Sequence, residues 1–373
     1  MDATGGFIKF RNDQLRNMTE PFKRILTYFL YLKHLDYVGS SSGGKSLGAI
    51  QIAEYASSRH DAGIQTCTIS EIKFAYEKYF GDQFKFRHII SDMCWASIHS
   101  QCLGINNENV KEYSDHIYRI ADGSQEIDTN KSYIHICKSH KSHAVSIGCQ
   151  IILKNFFRKD EDSFKNVYFL FMLSFSLLQN SCNLKEFVEY FPDICTVFGS
   201  KFECLESKES LQRLRQAISI RPQDDLDFEV IYVKTDKVIS DSLNDNIDLN
   251  LDSEPVEIRN IRETIKSASK FYKICIEKRD QIFNKIKKID ETPINSLCCD
   301  DLIEFLLEKH VPYAAFWSGF SYAGINLNVN NPRLERKIRE RKEEVGLGQC
   351  SNMYVNRSLN LIKGTYFIKI SMS

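Results

Sequence analysis

The short stretch from Gly39 to Ser46 contains the residue types that could do the most specific chemistry in this chain. It reads Gly-Ser-Ser-Ser-Gly-Gly-Lys-Ser, so small residues precede a lysine and a hydroxyl side chain. Small residues let the backbone turn tightly, and successive N–H groups can then converge on one anion. Lys45 would reach the β- and γ-phosphates of a nucleotide, and the Ser46 hydroxyl would ligate Mg²⁺. The stretch therefore predicts a phosphate-binding loop.

The segment after this loop, Leu47–Ala56, has the apolar spacing of a helix. A helix that begins at Lys45 would direct its N-terminal N–H groups and the positive end of its dipole at the anion. Leu35–Val38 is a short candidate for the strand before the loop. The arrangement resembles the Walker A motif of P-loop nucleotide-binding proteins. The positions that carry the resemblance are Gly39, Gly44, Lys45 and Ser46.

The resemblance implies binding of ATP or GTP with Mg²⁺, with nucleotide hydrolysis or phosphotransfer as the reactions to consider. It covers the loop and the segment that follows it. The Walker B feature, an apolar strand that ends in Asp, is not evident, since Val167–Phe171 is the best strand candidate and is followed by Met172. A flexible Ser/Gly loop between two helices is the other interpretation of the same residues.

A second group of residues would suit nucleic acid. The helical segments 46–58 and 68–80, the latter opened by a Thr-x-x-Glu capping box, resemble a winged helix-turn-helix. Ser132–Gly148 would supply the wing as two strands, with Lys138 and Lys141 at its tip facing phosphate. The alternative is that these helices pack together in an ordinary core.

The densest basic run is Arg333–Lys342, which follows the aromatic cluster Val311–Tyr322. Single-stranded nucleic acid stacks its bases on aromatic rings while its phosphates pair with cations. The candidate contacts in this run are Arg333, Arg336, Lys337, Arg339 and Arg341. Glutamates in the same run also fit i, i+4 ion pairs on an exposed helix. RNA or DNA is therefore the alternative partner, and a structural, self-associating helical protein is the third hypothesis.

Other polar groups allow weaker hypotheses. The cysteines and histidines of Cys137–Cys149 include zinc-type ligands, but free thiols in the core are the simpler interpretation, and we expect no metal site. Two segments resemble parts of papain-like effector proteases: Gly43-Gly-Lys-Ser46 and His143-Ala-Val-Ser-Ile. Ser46 stands where those enzymes have cysteine. Arg213 and Arg215 could contact phosphate or simply face solvent.

Composition limits the remaining classes. The chain has 373 residues, 43% of them hydrophobic, and its 49 basic residues balance its 49 acidic ones. No overall field would therefore attract nucleic acid or an anionic membrane. The 12 cysteines show no framework spacing and no leader is evident, so we expect reduced thiols in the cytoplasm or nucleus. The longest apolar run, Val167–Leu178, is shorter than the roughly 20 residues that span a bilayer.

The expected architecture is mixed α/β and predominantly helical. An acidic, weakly hydrophobic segment at 241–255 predicts a linker between an N-terminal part, 1–240, and a C-terminal part, 256–373. In the N-terminal part, Glu20–His34 has the pattern of a helix. Val256–Ile289 predicts one long helix whose apolar repeat could pair with another helix, in this chain or in a second copy.

Overall fold

The computed structural model describes most of the chain between residues 62 and 322. The described residues are 2–5, 26–32, 50–57, 62–220, 256–286 and 293–322, apart from 82, 83, 85, 87, 92, 129, 158 and 159. The prediction of a mixed but predominantly helical fold is confirmed. The predicted linker, 241–255, lies outside the described residues.

The first three strands form an antiparallel sheet. They are β1 (Asp2–Gly5), β2 (Leu26–Leu32) and β3 (Ile50–Ser57), in the order β1-β2-β3. The helices predicted over Glu20–His34 and 46–58 were therefore wrong where the structure describes them. Short apolar runs satisfy both periodicities, and the Thr, Tyr and Phe residues of β2 and the Ile and Tyr residues of β3 favour a strand.

The remaining elements are mostly helices. In chain order they are α1 (Ala62–Phe80), β4 (His88–Ser91), α2 (Trp95–Asn106), α3 (Val110–Ala121), β5 (Tyr133–Ile136), α4 (Lys138–Phe156), α5 (Glu161–Asn180), α6 (Leu184–Gly199), α7 (Leu205–Ile220), α8 (Val256–Ala268), α9 (Lys270–Ile286) and α10 (Asp300–Lys309). A 3₁₀ turn at Val311–Tyr313, a short helix α11 at Ala314–Trp317 and a second 3₁₀ turn at Gly319–Tyr322 follow.

Strands β4 and β5 pair in parallel, with His88 opposite Tyr133 and Ser91 opposite Ile136. All four residues of β5 are buried, as expected for a parallel strand covered on both faces. Cys137 follows β5 directly, and its N–H donates to the Ser91 carbonyl at 2.8 Å. Helix α4 then begins at Lys138, so the carboxyl ends of both strands meet the N-terminus of α4.

The wing predicted over Ser132–Gly148 was wrong, because α4 occupies the place of its second strand. The buried residues of α4 recur every three or four positions, which is the helical period. They are Lys138, Lys141, Ser142, Val145, Ser146, Cys149, Gln150 and Leu153. Five of these eight residues are polar, so the buried face of α4 does not show an apolar helical period in the sequence.

One hydrophobic core contains residues from both sides of the predicted linker. It includes Val167 and Phe171 of α5, and also Phe271 of α9, Leu306 of α10 and Trp317 of α11. The described residues of 86–220 and of 256–320 therefore contribute to one core. Val167–Phe171, the best strand candidate, lies within a helix.

The long helix predicted over Val256–Ile289 is divided at Ser269 into α8 and α9. The core side of these helices is buried within the chain at Ile265, Phe271 and Cys275. This side is therefore not free for a coiled coil with a second copy. Within the described ranges, no helix combines the length and the hydrophobicity needed to cross a lipid bilayer.

Candidate functional site

The residues of the predicted phosphate loop, Gly39, Gly44, Lys45 and Ser46, lie outside the described residues. The structure does describe the segment that follows them. That segment is β3, which pairs antiparallel with β2. The helix predicted to direct its N-terminal N–H groups at a phosphate is thus a strand over 50–57. Strands β2 and β3 also do not form the parallel sheet expected around the loop.

Among the predicted nucleic-acid contacts, Lys138 and Lys141 are described and both are buried. Lys138 is 6% exposed and Lys141 is 2% exposed. Both lie in the first turn of α4 rather than at an exposed tip. The remaining candidates, Arg333, Arg336, Lys337, Arg339 and Arg341, lie outside the part of the chain that the structure describes.

Lys141 forms the centre of a buried polar cluster. Its Nζ lies 2.7 Å from His310 Nδ1 and 5.4 Å from the centre of the Trp317 ring. Burial, with a smaller effect from Arg262, lowers the pKa of Lys141 to about 7. Burial also lowers the pKa of His310 well below its ordinary value, so the ring is neutral and its Nδ1 can accept a hydrogen bond. His310 Nε2 has no hydrogen-bond partner among the described residues.

Lys138 is held by the C-terminal end of α5. Its Nζ donates to Asn180 Oδ1 at 2.5 Å, and its carbonyl accepts from Gln179 Nε2 at 3.3 Å. Ser142 Oγ donates to Gln179 Oε1 at 3.1 Å. These contacts join α4 to α5 over the carboxyl ends of the parallel strands. An amine with a pKa near 7 is a chemically useful base, but at 2% exposure Lys141 is closed to a substrate.

The candidate zinc ligands do not assemble. Within the described ranges, no group of three or more His, Cys, Asp or Glu side chains is placed to hold a metal ion. Cys137 and Cys149 are buried cysteines in the thiol form. Burial raises the pKa of Cys149 well above its ordinary value, and nearby Cys299 adds to this effect. Such a thiol is protonated at neutral pH and is a poor metal ligand.

A cavity of about 420 Å³ opens between α5, α7 and the turn at 293–297. Its apolar lining includes Leu170, Leu211 and Leu297. Its charged lining consists of Glu203, Lys208 and Arg215. Serine and asparagine side chains complete the lining, so the cavity combines apolar and polar surface with a net positive charge among its described lining residues.

The wall formed by 293–297 is fixed by contacts with the segment after α6. Asn295 is buried, and its Nδ2 donates to the carbonyls of Val197 at 2.9 Å and Ser200 at 2.8 Å. The Asn295 N–H donates to the Lys201 carbonyl at 3.0 Å, and the Glu203 N–H donates to the Pro293 carbonyl at 2.9 Å. Hydrogen bonds donated in both directions thus hold this wall against the end of α6.

Helix α7 supplies both cations. Lys208 and Arg215 are two helical turns apart and therefore share one face of α7. Lys208 Nζ lies 3.7 Å from Glu203 Oε2, whereas Arg215 has no ion-pair partner among the described residues. Arg213 faces elsewhere, since its guanidinium holds the Asp193 carboxylate through both oxygens, the shortest contact being 2.6 Å. In the sequence, Arg213 and Arg215 are equal candidates for contact with a phosphate. In the structure, Arg215 lines the cavity and Arg213 does not.

Comparison with known proteins identifies no relative. No family model matches the chain, and neither curated proteins nor solved structures give a significant match. The candidate site therefore rests on its own geometry.

Proposed function

We propose that this chain binds a small anionic ligand that also has an apolar part, in the cavity between α5, α7 and 293–297. A nucleotide is the first ligand class to test. The observation that carries the proposal is the position of Lys208 and Arg215 on one face of α7, in a cavity that is also lined by Leu170, Leu211 and Leu297.

The charge of the lining favours an anion. Two cations and one carboxylate, Glu203, give an excess of one positive charge. Glu203 partly neutralises Lys208, but Arg215 keeps its planar set of donors for a ligand. A guanidinium can hold two oxygens of a phosphate or carboxylate at once, which fixes the orientation of the bound group.

The size and apolar walls favour a ligand larger than an inorganic ion. Ligand cavities in proteins typically measure roughly 300–1,000 Å³, and this one measures about 420 Å³. Leu170, Leu211 and Leu297 offer apolar surface on which a base or another flat group would be removed from water. A phosphate at Arg215 with a base against the leucines is consistent with both features.

Nucleotide binding is also what the Gly39–Ser46 pattern predicts, although at a different place in the chain. Binding of a nucleotide and Mg²⁺ by that loop stays a prediction, and so does any hydrolysis or phosphotransfer. Binding of RNA or DNA by Arg333–Lys342 also stays a prediction. The function proposed for the cavity is binding, to which Lys208 and Arg215 must contribute.

The test is calorimetric titration of the full chain with ATP, GTP and inorganic phosphate, each with and without Mg²⁺. We expect at least one nucleotide to bind in the micromolar range and Arg215→Ala to weaken its binding about 10-fold, the value of one charge-assisted hydrogen bond. Arg119→Ala, which removes an exposed arginine that does not line the cavity, is the matched control. No heat with any ligand, or equal affinity in Arg215→Ala, would refute the proposal.

A further inference from the structure

Helix α1 has one face on the protein and one face in solvent. It packs mainly against α2, and its fully buried residues are Gln65 and Ile69. The opposite face is exposed along a line of residues spaced by three or four positions. We call this line the outer stripe; it consists of Ile64, Cys67, Glu71, Phe74 and Lys78.

Large apolar side chains of α1 are exposed on and beside the outer stripe. Phe74 is 69% exposed on this face, whereas Tyr79, which is 79% exposed, lies in the last turn and about 140° around the helix from Phe74. Ile64 adds a third large apolar side chain toward the N-terminal end. Aromatic residues are enriched at protein interfaces, so the exposed Phe74 ring is a candidate anchor for another molecule on this face of α1.

The charges on the stripe indicate what that molecule is. Glu71 and Lys78 flank Phe74, one on each side and about one helical turn away. Both are exposed, and neither has an ion-pair partner among the described residues. A surface with one anion and one cation placed symmetrically about an apolar centre is complementary to itself after a two-fold rotation.

We propose that a second copy of this chain docks on the outer stripe, so that the two α1 helices pair antiparallel across a two-fold axis near Phe74. In that arrangement Glu71 lies against Lys78 of the partner subunit, and the reciprocal pair forms on the other side. A parallel pairing would instead place like charges beside each other. The antiparallel arrangement thus covers the aromatic centre and satisfies both charges.

The size of α1 sets the strength of this dimer. Its 19 residues give a helix about 28 Å long at ~1.5 Å per residue. One helix pair buries less than the ~1,200 Å² of a standard stable interface, so the dimer should be weak, with a dissociation constant on the order of 10 to 100 µM. Dimerisation should therefore depend on protein concentration over an easily measured range.

Sedimentation velocity of the full chain, from about 2 to about 200 µM, tests this proposal in the concentration range expected for a weak interface. We expect a monomer–dimer equilibrium for the unmodified chain and a dissociation constant raised at least ~100-fold by Phe74→Glu, because the change acts on both sides of the two-fold axis. Phe156→Glu, at a half-exposed phenylalanine on α4, is the matched control and should leave the equilibrium unchanged.

The charge pairs allow a test that loss of folding cannot imitate. Lys78→Glu should weaken the dimer about 10-fold, since it places four like charges around the axis. The double variant Glu71→Lys/Lys78→Glu restores opposite charges with their positions exchanged and should recover most of the affinity. A chain that stays monomeric at every concentration would overturn the proposal. A dimer that is insensitive to Phe74→Glu, or a double variant no stronger than Lys78→Glu, would overturn it as well.

Discussion

The buried amine of Lys141 should make the stability of this protein depend on pH in a defined direction. Burial lowers the pKa of Lys141 to about 7, whereas in the unfolded chain it returns to the ordinary value of 10.5. Between these two values the unfolded chain binds more protons than the folded chain. The free energy of unfolding must therefore rise as pH increases from about 7 toward 10.5.

The magnitude follows from the two pKa values. Each full unit of difference corresponds to about 1.4 kcal/mol. Because the folded amine is already half deprotonated near pH 7, the rise from pH 7 to pH 8.5 amounts to about 1.5 kcal/mol. The window ends there because buried thiols, such as Cys149 with its raised pKa, oppose the trend at higher pH. His310, whose pKa is lowered, contributes mainly below its unfolded value of 6.5.

Urea unfolding followed by circular dichroism measures this dependence at about pH 7 and about pH 8.5. The unmodified chain should gain stability across the window, and Lys141→Met, which keeps the length of the side chain, should lose that gain. Lys111→Met, at an exposed lysine of α3, should retain it. Equal pH slopes in the unmodified chain and in Lys141→Met would refute the assignment of a buried, near-neutral amine.

Three further substitutions test the packing around α3, α4 and β5. A Cβ on Gly148 would overlap the Phe305 ring. Gly148→Ala should therefore lower the free energy of unfolding by ~2 kcal/mol, and adding Phe305→Leu should restore part of it. No loss of stability in Gly148→Ala would show that the two helices can move apart freely. The Tyr113 hydroxyl donates to the Ile134 carbonyl and accepts from its N–H at 2.9 and 2.7 Å, so Tyr113→Phe should cost ~2 kcal/mol in a urea titration. Asn109 caps α3 through a reciprocal capping box, and Asn109→Ala should cost ~1 kcal/mol; an unchanged thermal midpoint would contradict the importance of this cap.

The capping box predicted at Thr68 is wrong, because α1 begins at Ala62 and the Thr68 hydroxyl donates to the Ile64 carbonyl within the helix. The sequence did predict that 68–80 is helical. It failed for 26–32 and 50–57, because runs of this length satisfy a strand and a helix equally well. The first turn of α4 was missed for another reason, since lysines are almost never fully buried unless they are paired.

The partners of those lysines are distant in sequence. Lys141 meets His310, and Lys138 meets Asn180, through helices that no local pattern connects. The cavity also depends on contacts between residues that are distant in sequence. Asn295 holds the turn at 293–297 against the end of α6, and this places Leu297 in the same cavity as Arg215. Tertiary contacts of this kind decide which of several similar charged residues faces a ligand.

Parallel calorimetric titrations of Lys45→Ala and Arg215→Ala, with whichever of ATP and GTP the unmodified chain binds, test the central claim most directly. The cavity proposal predicts that Arg215→Ala loses about 10-fold in affinity, while Lys45→Ala binds as the unmodified chain does. Loss of binding in Lys45→Ala with full affinity in Arg215→Ala would contradict it, and would place the nucleotide at Gly39–Ser46 instead.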